Sequence, residues 1–144
     1  MLKIFVDSGS SIKQAEKEIE LKQRQIKLQT EYMEETKNAL ELQKIDVADS
    51  LKAIGAPAVE FDIDGSIKNY AKLEEALLNY ENDMIRAENA GADEFYMAAM
   101  QERFDTAREG FDNLQDIIED ALDAELEYYE ALNELAELNL ELIQ

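Results

Sequence analysis

The sequence predicts an all-α fold built from long antiparallel coiled-coil helices, and three observations predict it. Ile12, Ile19, Ile26, Met33, Leu40, Val47 and Ile54 stand at seven-residue steps without a miss. A repeat held that long marks a seam along which one helix packs on another. A second apolar seam runs late in the chain: Phe104, Ala107, Phe111, Leu114, Ile118, Ala121, Glu125, Tyr128, Leu132, Leu135, Asn139 and Leu142, with Glu125 and Asn139 its polar members. The composition is 46% hydrophobic and 33% charged with a single proline, which suits long helices better than a sandwich or a disordered tail.

Taken in order, Met1–Asp7 alternates Leu2, Ile4 and Val6 and reads as a short strand or an appended segment. Asp7 to Ser11 reads as a loop and helix start, with Ser11 and Gln14 fitting a capping box. Helix 1 is expected over about 12–54. The second position of its seam is polar or small: Ala15, Lys22, Gln29, Thr36, Gln43 and Ser50. Leu21, Leu28 and Leu42 sit two residues past the spine, so the buried stripe is expected to be narrow in places and off-centre in others. Gly55 can take a left-handed cap and Pro57 forbids continuation. Val59 to Ile63 alternates with period two, and Asp64-Gly65 is a type I′ turn pair. Residues 58–68 therefore read as a small β-hairpin-like corner through Phe61. Asn69 is a good N-cap for helix 2, expected from Tyr70 to about 89. Asp93, after Gly91, caps helix 3, expected over about 94–142.

The lengths carry an inference. Helices 2 and 3 together exceed helix 1 so far that roughly 30 residues of helix 3 find no intrachain neighbour, at ~1.5 Å per residue. That overhang is expected to pack on another copy or on flanking helices of a longer parent protein. Residues 1–144 then form a single helical module, complete or a fragment. The alternative is a break at Gly110, which gives a compact three-helix bundle. The packing and interface set is Ile12, Ile19, Ile26, Met33, Leu40, Val47, Ile54, Phe111, Leu114, Ile118, Tyr128, Leu132, Leu135 and Leu142. The corner set is Gly55, Pro57, Phe61, Asp64, Gly65, Asn69 and Tyr70.

Composition also excludes. Without Cys or His there is no disulfide framework, no Ser-His-Asp or Cys-His pair and no zinc site of the usual donors. No catalytic residue, metal ligand or cofactor is expected, and no enzyme. Asp62, Asp64 and Ser66 begin like a calcium loop, but Ile67 and Leu73 stand where glycine and an acid are needed. No apolar run reaches the ~18 residues of a membrane span, and Met1–Asp7 is too short and too weakly basic to be expected as a signal peptide. The net charge is −20. Residues 1–55 hold 9 basic and 10 acidic groups, whereas residues 56–144 hold 5 and 24. Phe111 to Gln144 carries 11 carboxylates and no Lys or Arg. Such a surface repels phosphate, so no direct nucleic-acid binding is expected. Those acids repel one another unless Lys13, Lys17, Lys22, Arg24 and Lys27 of a neighbour offset them.

The segment Ile54 to Tyr70, and within it Phe61-Asp62-Ile63-Asp64-Gly65-Ser66-Ile67-Lys68-Asn69-Tyr70, resembles a recurring corner in the tail tape-measure and related large virion proteins of tailed bacteriophages. There it joins a helix rich in Gln, Lys and Glu to an acidic, Tyr-containing helix. That helix ends in a Leu-rich segment similar to Glu134 to Glu141. The likeness covers about residues 12–144; the Ala56-Pro57-Ala58 insert departs from it. It implies a structural, non-catalytic coiled-coil module of a phage virion protein, oligomeric and located in the tail interior. Outside the resemblance, a soluble cytoplasmic protein is expected. The rival function is an acidic helical binding protein or nucleic-acid mimic that occupies a basic partner.

Overall fold

The computed structural model describes the backbone of Leu2–Ile143 and the side chains of residues 11–142. The described residues form three helices: α1 (Leu2–Ala53), α2 (Tyr70–Asn89) and α3 (Glu94–Ile143). The bounds of α2 match expectation to the residue, and α3 runs one residue further. The start of α1 does not match. Leu2 to Ser11 is helical, so the short strand, the loop and the Ser11 cap are not formed. Once Ile12 onward is helical, adding a residue upstream fixes one residue for one hydrogen bond, and no proline stops it.

The helix ends follow their punctuation. At the end of α1, Ala56 N–H donates to Leu51 O and Gly55 N–H to Lys52 O, both at 3.0 Å, with Gly55 at φ 79°. That is a Schellman cap, and its left-handed residue suits glycine. The same pair of bonds recurs at Gly91. At the start of α3, Asp93 Oδ1 accepts from Tyr96 N–H at 3.0 Å, as expected of a cap.

The chain forms two compact units. One comprises residues 36–122. In it Tyr70 meets Phe111, Glu74 meets Arg108 and Tyr80 stacks on Phe104, so α2 and α3 run antiparallel. Gln43 lies at Gly110, while Ser50 and Ala53 lie beside Glu102 and Thr106, so α1 is also antiparallel to α3. Hence α1 and α2 are parallel, and the chain between them must double back. The 16 residues between Ala53 and Tyr70 do this, bringing Phe61 under Lys44. The core is Val47, Leu51, Leu73, Leu77, Ala107, Phe111 and Leu114, closed by Ile54 and Ile118.

Helix α3 passes through Gly110 without a break, which overturns the bundle hinged there. The glycine serves close approach instead. A Cβ at that position would stand 3.3 Å from Val47 Cγ2, and Gly110 O accepts a hydrogen bond from Gln43 Nε2 at 3.1 Å.

The second unit comprises residues 1–35 and 123–144, of which 2–35 and 123–143 are described. Here the overhang is corrected: the acidic end of α3 packs on the first half of its own α1, with Lys22 paired to Glu134. The inference failed because α1 is 52 residues long, against 50 in α3, and pairs with it in both units.

Candidate functional site

The burial pattern shows how the seams are built. Along α1 the inward residues include Ile19, Ile26, Met33, Leu40 and Val47, and also the weak row three residues on: Lys22, Gln29, Thr36, Gln43 and Ser50. Leu21, Leu28 and Leu42 are 62–66% exposed, so the stripe is centred and polar rather than displaced toward leucine. Each polar group has its own circumstance. Lys22 pairs with Glu134, Gln43 donates to Gly110 O, and Ser50 Oγ donates to Val47 O at 3.0 Å. Gln29 Oε1 is buried with no donor among the described residues.

On α3 the seam keeps its expected row through Ala121, then takes a three-residue step to Ala124 and continues at Tyr128, Ala131, Leu135 and Leu138. Such a step rotates the inward face of a helix. Glu125 and Asn139 are consequently exposed and are not seam residues. Of the packing set, Val47, Ile54, Phe111, Leu114 and Ile118 are buried. Ile19, Ile26, Met33, Leu40, Tyr128, Leu132 and Leu135 are half-buried, whereas Ile12 and Leu142 are exposed within this chain.

The corner residues do come together. Asp62 N–H donates to Ser66 O at 2.8 Å, Gly65 N–H to Asp62 O at 2.9 Å, and Lys68 N–H to Glu60 O at 2.8 Å. A single antiparallel bridge, Phe61 to Ile67, results, and no strand forms among the described residues. The turn is not type I′, because only glycines have positive φ and Asp64 therefore does not. Gly65, at φ 92°, follows a tight turn of Ile63 and Asp64, the three-residue arrangement with glycine at its end. Asp64 Oδ1 accepts from both the N–H (2.9 Å) and the hydroxyl (2.6 Å) of Ser66. Those two bonds hold its carboxyl below the ordinary carboxylate value. They account for the calcium-like spacing, and no cluster of three acids placed for a metal occurs among the described residues.

Asn69 occupies the N-cap position of α2, but its side chain does not cap. It is buried and turned back into the corner. Its Oδ1 accepts from Glu60 N–H at 2.9 Å and its Nδ2 donates to Ala58 O at 2.8 Å. Two otherwise orphaned backbone groups of an irregular segment are thereby paired, which outweighs one cap bond.

Under the returning segment lies a pocket of about 360 Å³ between α1, Pro57 to Phe61 and Leu114. Its floor is apolar, formed by Ala48, Leu51, Val59 and Phe61. Lys44, Asp49 and Lys52 also line it, and the Lys44 ammonium sits 4.4 Å from the Phe61 ring centre. The volume suits a small apolar group, and the lining offers no paired nucleophile and base.

On the α2 side, Tyr70 packs its ring 5.6 Å from Phe111 and donates its hydroxyl to Glu74 Oε1 at 3.0 Å. Arg108 donates to Glu74 Oε2 at 2.8 Å and also faces Asp112 at 3.4 Å. The Arg108 hydrogen bond, followed by that from Tyr70, lowers the Glu74 pKa, and the same Arg108–Glu74 bond raises that of the guanidinium. This chain of four side chains joins α2 to α3. Its only sequence signal is the four-residue spacing of Tyr70 to Glu74 and of Arg108 to Asp112.

No family model, curated protein or solved structure matches this chain. No described helix is long and apolar enough to cross a membrane.

Proposed function

We propose that the chain is a structural, non-catalytic helical module, coiled-coil in character, of a phage virion protein of the tail-interior kind. The observation that carries the reading is how α1 is used. In each heptad from Ile19 to Ser50 its inward face holds an apolar residue and, three on, a polar or small one. Apolar positions supply the adhesion of a seam, and polar ones fix its register. The virion assignment rests on the Ile54 to Tyr70 corner, whose turn, bridge and Asn69 contacts make a defined link between long helices. The acidic surface of α3 suits a module without nucleic-acid contacts that works by packing against protein.

The DNA on either side of the coding sequence tests this. Tail genes as neighbours, or a reading frame continuing in phase into a longer helical protein, support the reading. A gene set of unrelated metabolism on both sides overturns it.

A second reading, an acidic binding protein that occupies a basic partner, is favoured by one feature. Asp123, Glu130 and Glu137, and likewise Glu127, Glu134 and Glu141, form two exposed rows at seven-residue steps on α3. Retention on a basic protein that salt abolishes, with monomeric size throughout, would select it.

A further inference from the structure

Asp64-Gly65 is the one Asp-Gly pair in the chain, and no Asn-Gly pair is present. Such a pair carries a chemistry of its own, because glycine sets no side chain beside the amide nitrogen that follows the carboxyl. The Gly65 nitrogen can attack Asp64 Cγ. A C–N bond forms, and the carboxyl hydroxyl leaves with the amide proton as water. Water then opens the resulting cyclic imide at one of its two carbonyls. Addition at Cγ restores aspartate. Addition at the Asp64 main-chain carbonyl leaves the backbone running through Cβ and Cγ, which is an isoaspartate. One water leaves and one returns, so no oxidant, metal or further reactant is needed.

The corner is open to solvent and yet restrains every participant. Asp64 is exposed, and a Cβ on Gly65 would meet nothing within 4 Å, so burial does not protect the pair. Hydrogen bonds do. Gly65 N–H donates to Asp62 O at 2.9 Å, which holds the proton that the attacking nitrogen must lose. Asp64 Oδ1 accepts from Ser66 N–H at 2.9 Å and from its hydroxyl at 2.6 Å. Those bonds favour the ionised carboxyl, whereas hydroxyl departs readily from the neutral acid. Ring closure also requires the Asp64 backbone to turn about ψ. The bonds from Asp62 N–H to Ser66 O and from Lys68 N–H to Glu60 O span that residue and oppose the turn.

We propose that Asp64 is a backbone-modification site kept shut by the folded corner, with Ser66 as its latch, so that isoaspartate forms from the opened turn. Each conversion adds one backbone atom between Phe61 and Ile67, and the bridge between them cannot re-form as it stands. Isoaspartate at this position is therefore a lasting mark of corner opening. The inference is independent of the virion reading.

The full chain, held at physiological temperature and neutral pH for weeks, tests this. Peptide mapping with a protease that cuts before aspartate but not before isoaspartate measures conversion at Asp64. The native chain should convert about tenfold more slowly than the same chain unfolded in guanidinium chloride, or slower still. Ser66→Ala should convert several-fold faster than the wild type with unchanged helical circular dichroism. Ser66→Thr, which keeps the hydroxyl, should match the wild type. Equal rates in the native and unfolded chains overturn the proposal, and that comparison stands whether or not a variant folds. A folded Ser66→Ala that converts no faster than the wild type overturns it as well.

Discussion

The unit of residues 36–122 and the unit of residues 1–35 and 123–144 are built from the same two helices, yet they bury very different residues. In the first, Phe111, Leu51, Leu73, Leu77, Leu114 and Val47 are all under 2% exposed. In the second, the only buried hydrophobic side chains among the described residues are Ala124 and Ala131, each 3% exposed. The seam pattern alone does not explain this, because α1 keeps its seven-residue row through both. The difference is α2. Two helices cover one stripe of each other and leave its margins wet, while a third closes the margin and lets large side chains lose their water. Burial thus reports the number of neighbours, and periodicity reports only the direction in which they lie.

The sharpest way to break that comparison is a pair of truncations. Phe111→Ala should cost about 3–5 kcal/mol, the range for emptying a fully buried aromatic site. Leu135→Ala, half-buried between two helices, should cost about 1 kcal/mol. Urea midpoints would measure both. Hydrogen exchange should show the amides of residues 36–122 more protected than those of 2–35 and 123–143. Equal costs would mean that α2 adds little.

Next in size is Gly110→Val. Val47 is fully buried and stiff at its branched carbon, so it cannot yield to a side chain placed against its Cγ2. Overpacking of this kind costs about 1–3 kcal/mol. That outweighs the gain in helix propensity over glycine, which is under about 1 kcal/mol. A raised urea midpoint would show that α1 and α3 stand further apart than described.

What the sequence made legible follows the same division. The ends of α2 were readable to the residue because Asn69 and Gly91 punctuate locally, and Gly55 with Pro57 marked the end of α1 to within one residue. The role of Asn69 was not, since a cap and a corner staple look alike until the segment's unpaired backbone groups are known. Gly65 marked a turn, but its type depended on Asp64, whose φ no dipeptide rule fixes. The step at Ala121 to Ala124 was hidden because alanine signals weakly on either side of a seam. A strict heptad therefore ran on into Glu125 and Asn139. Leu21 and Leu28 misled for the opposite reason: leucine was expected inside, and the inward places held Lys22 and Gln29.

The polar seam offers a smaller and opposite effect. Gln29 Oε1 is buried without a donor among the described residues. Leucine at that position removes an unpaired acceptor and adds apolar contact, so Gln29→Leu should stabilise the two-helix unit by about 1 kcal/mol. Exchange of amides in residues 11–35 and 124–142 should slow, while protection in residues 36–122 stays as it is. Faster exchange in the first set would mean that Gln29 is held by a partner and fixes register.

The smallest effect separates the two units by pH. Glu74 is bonded to Arg108 and Tyr70, and its pKa in the folded chain lies below the ordinary value of 4.5. A carboxylate lowered on folding contributes stability above its unfolded value, and that contribution is lost as pH falls through the lower folded value. Both Glu74 and Arg108 are about a third exposed, so solvent screening keeps the gain under about 1 kcal/mol. Glu74→Gln should therefore lower the melting temperature slightly at neutral pH and leave it unchanged well below pH 4, where the wild type has lost the same bond. Salt, by contrast, acts on the carboxylate rows of residues 123–141, whose mutual repulsion it screens. At constant pH 7, added salt should slow the exchange of amides in residues 124–142, while the small difference between wild type and Glu74→Gln shrinks. If exchange in residues 124–142 does not respond to salt, the acidic rows are already offset by α1 cations beyond Lys22, and the two-helix unit is more strongly paired than its burial suggests.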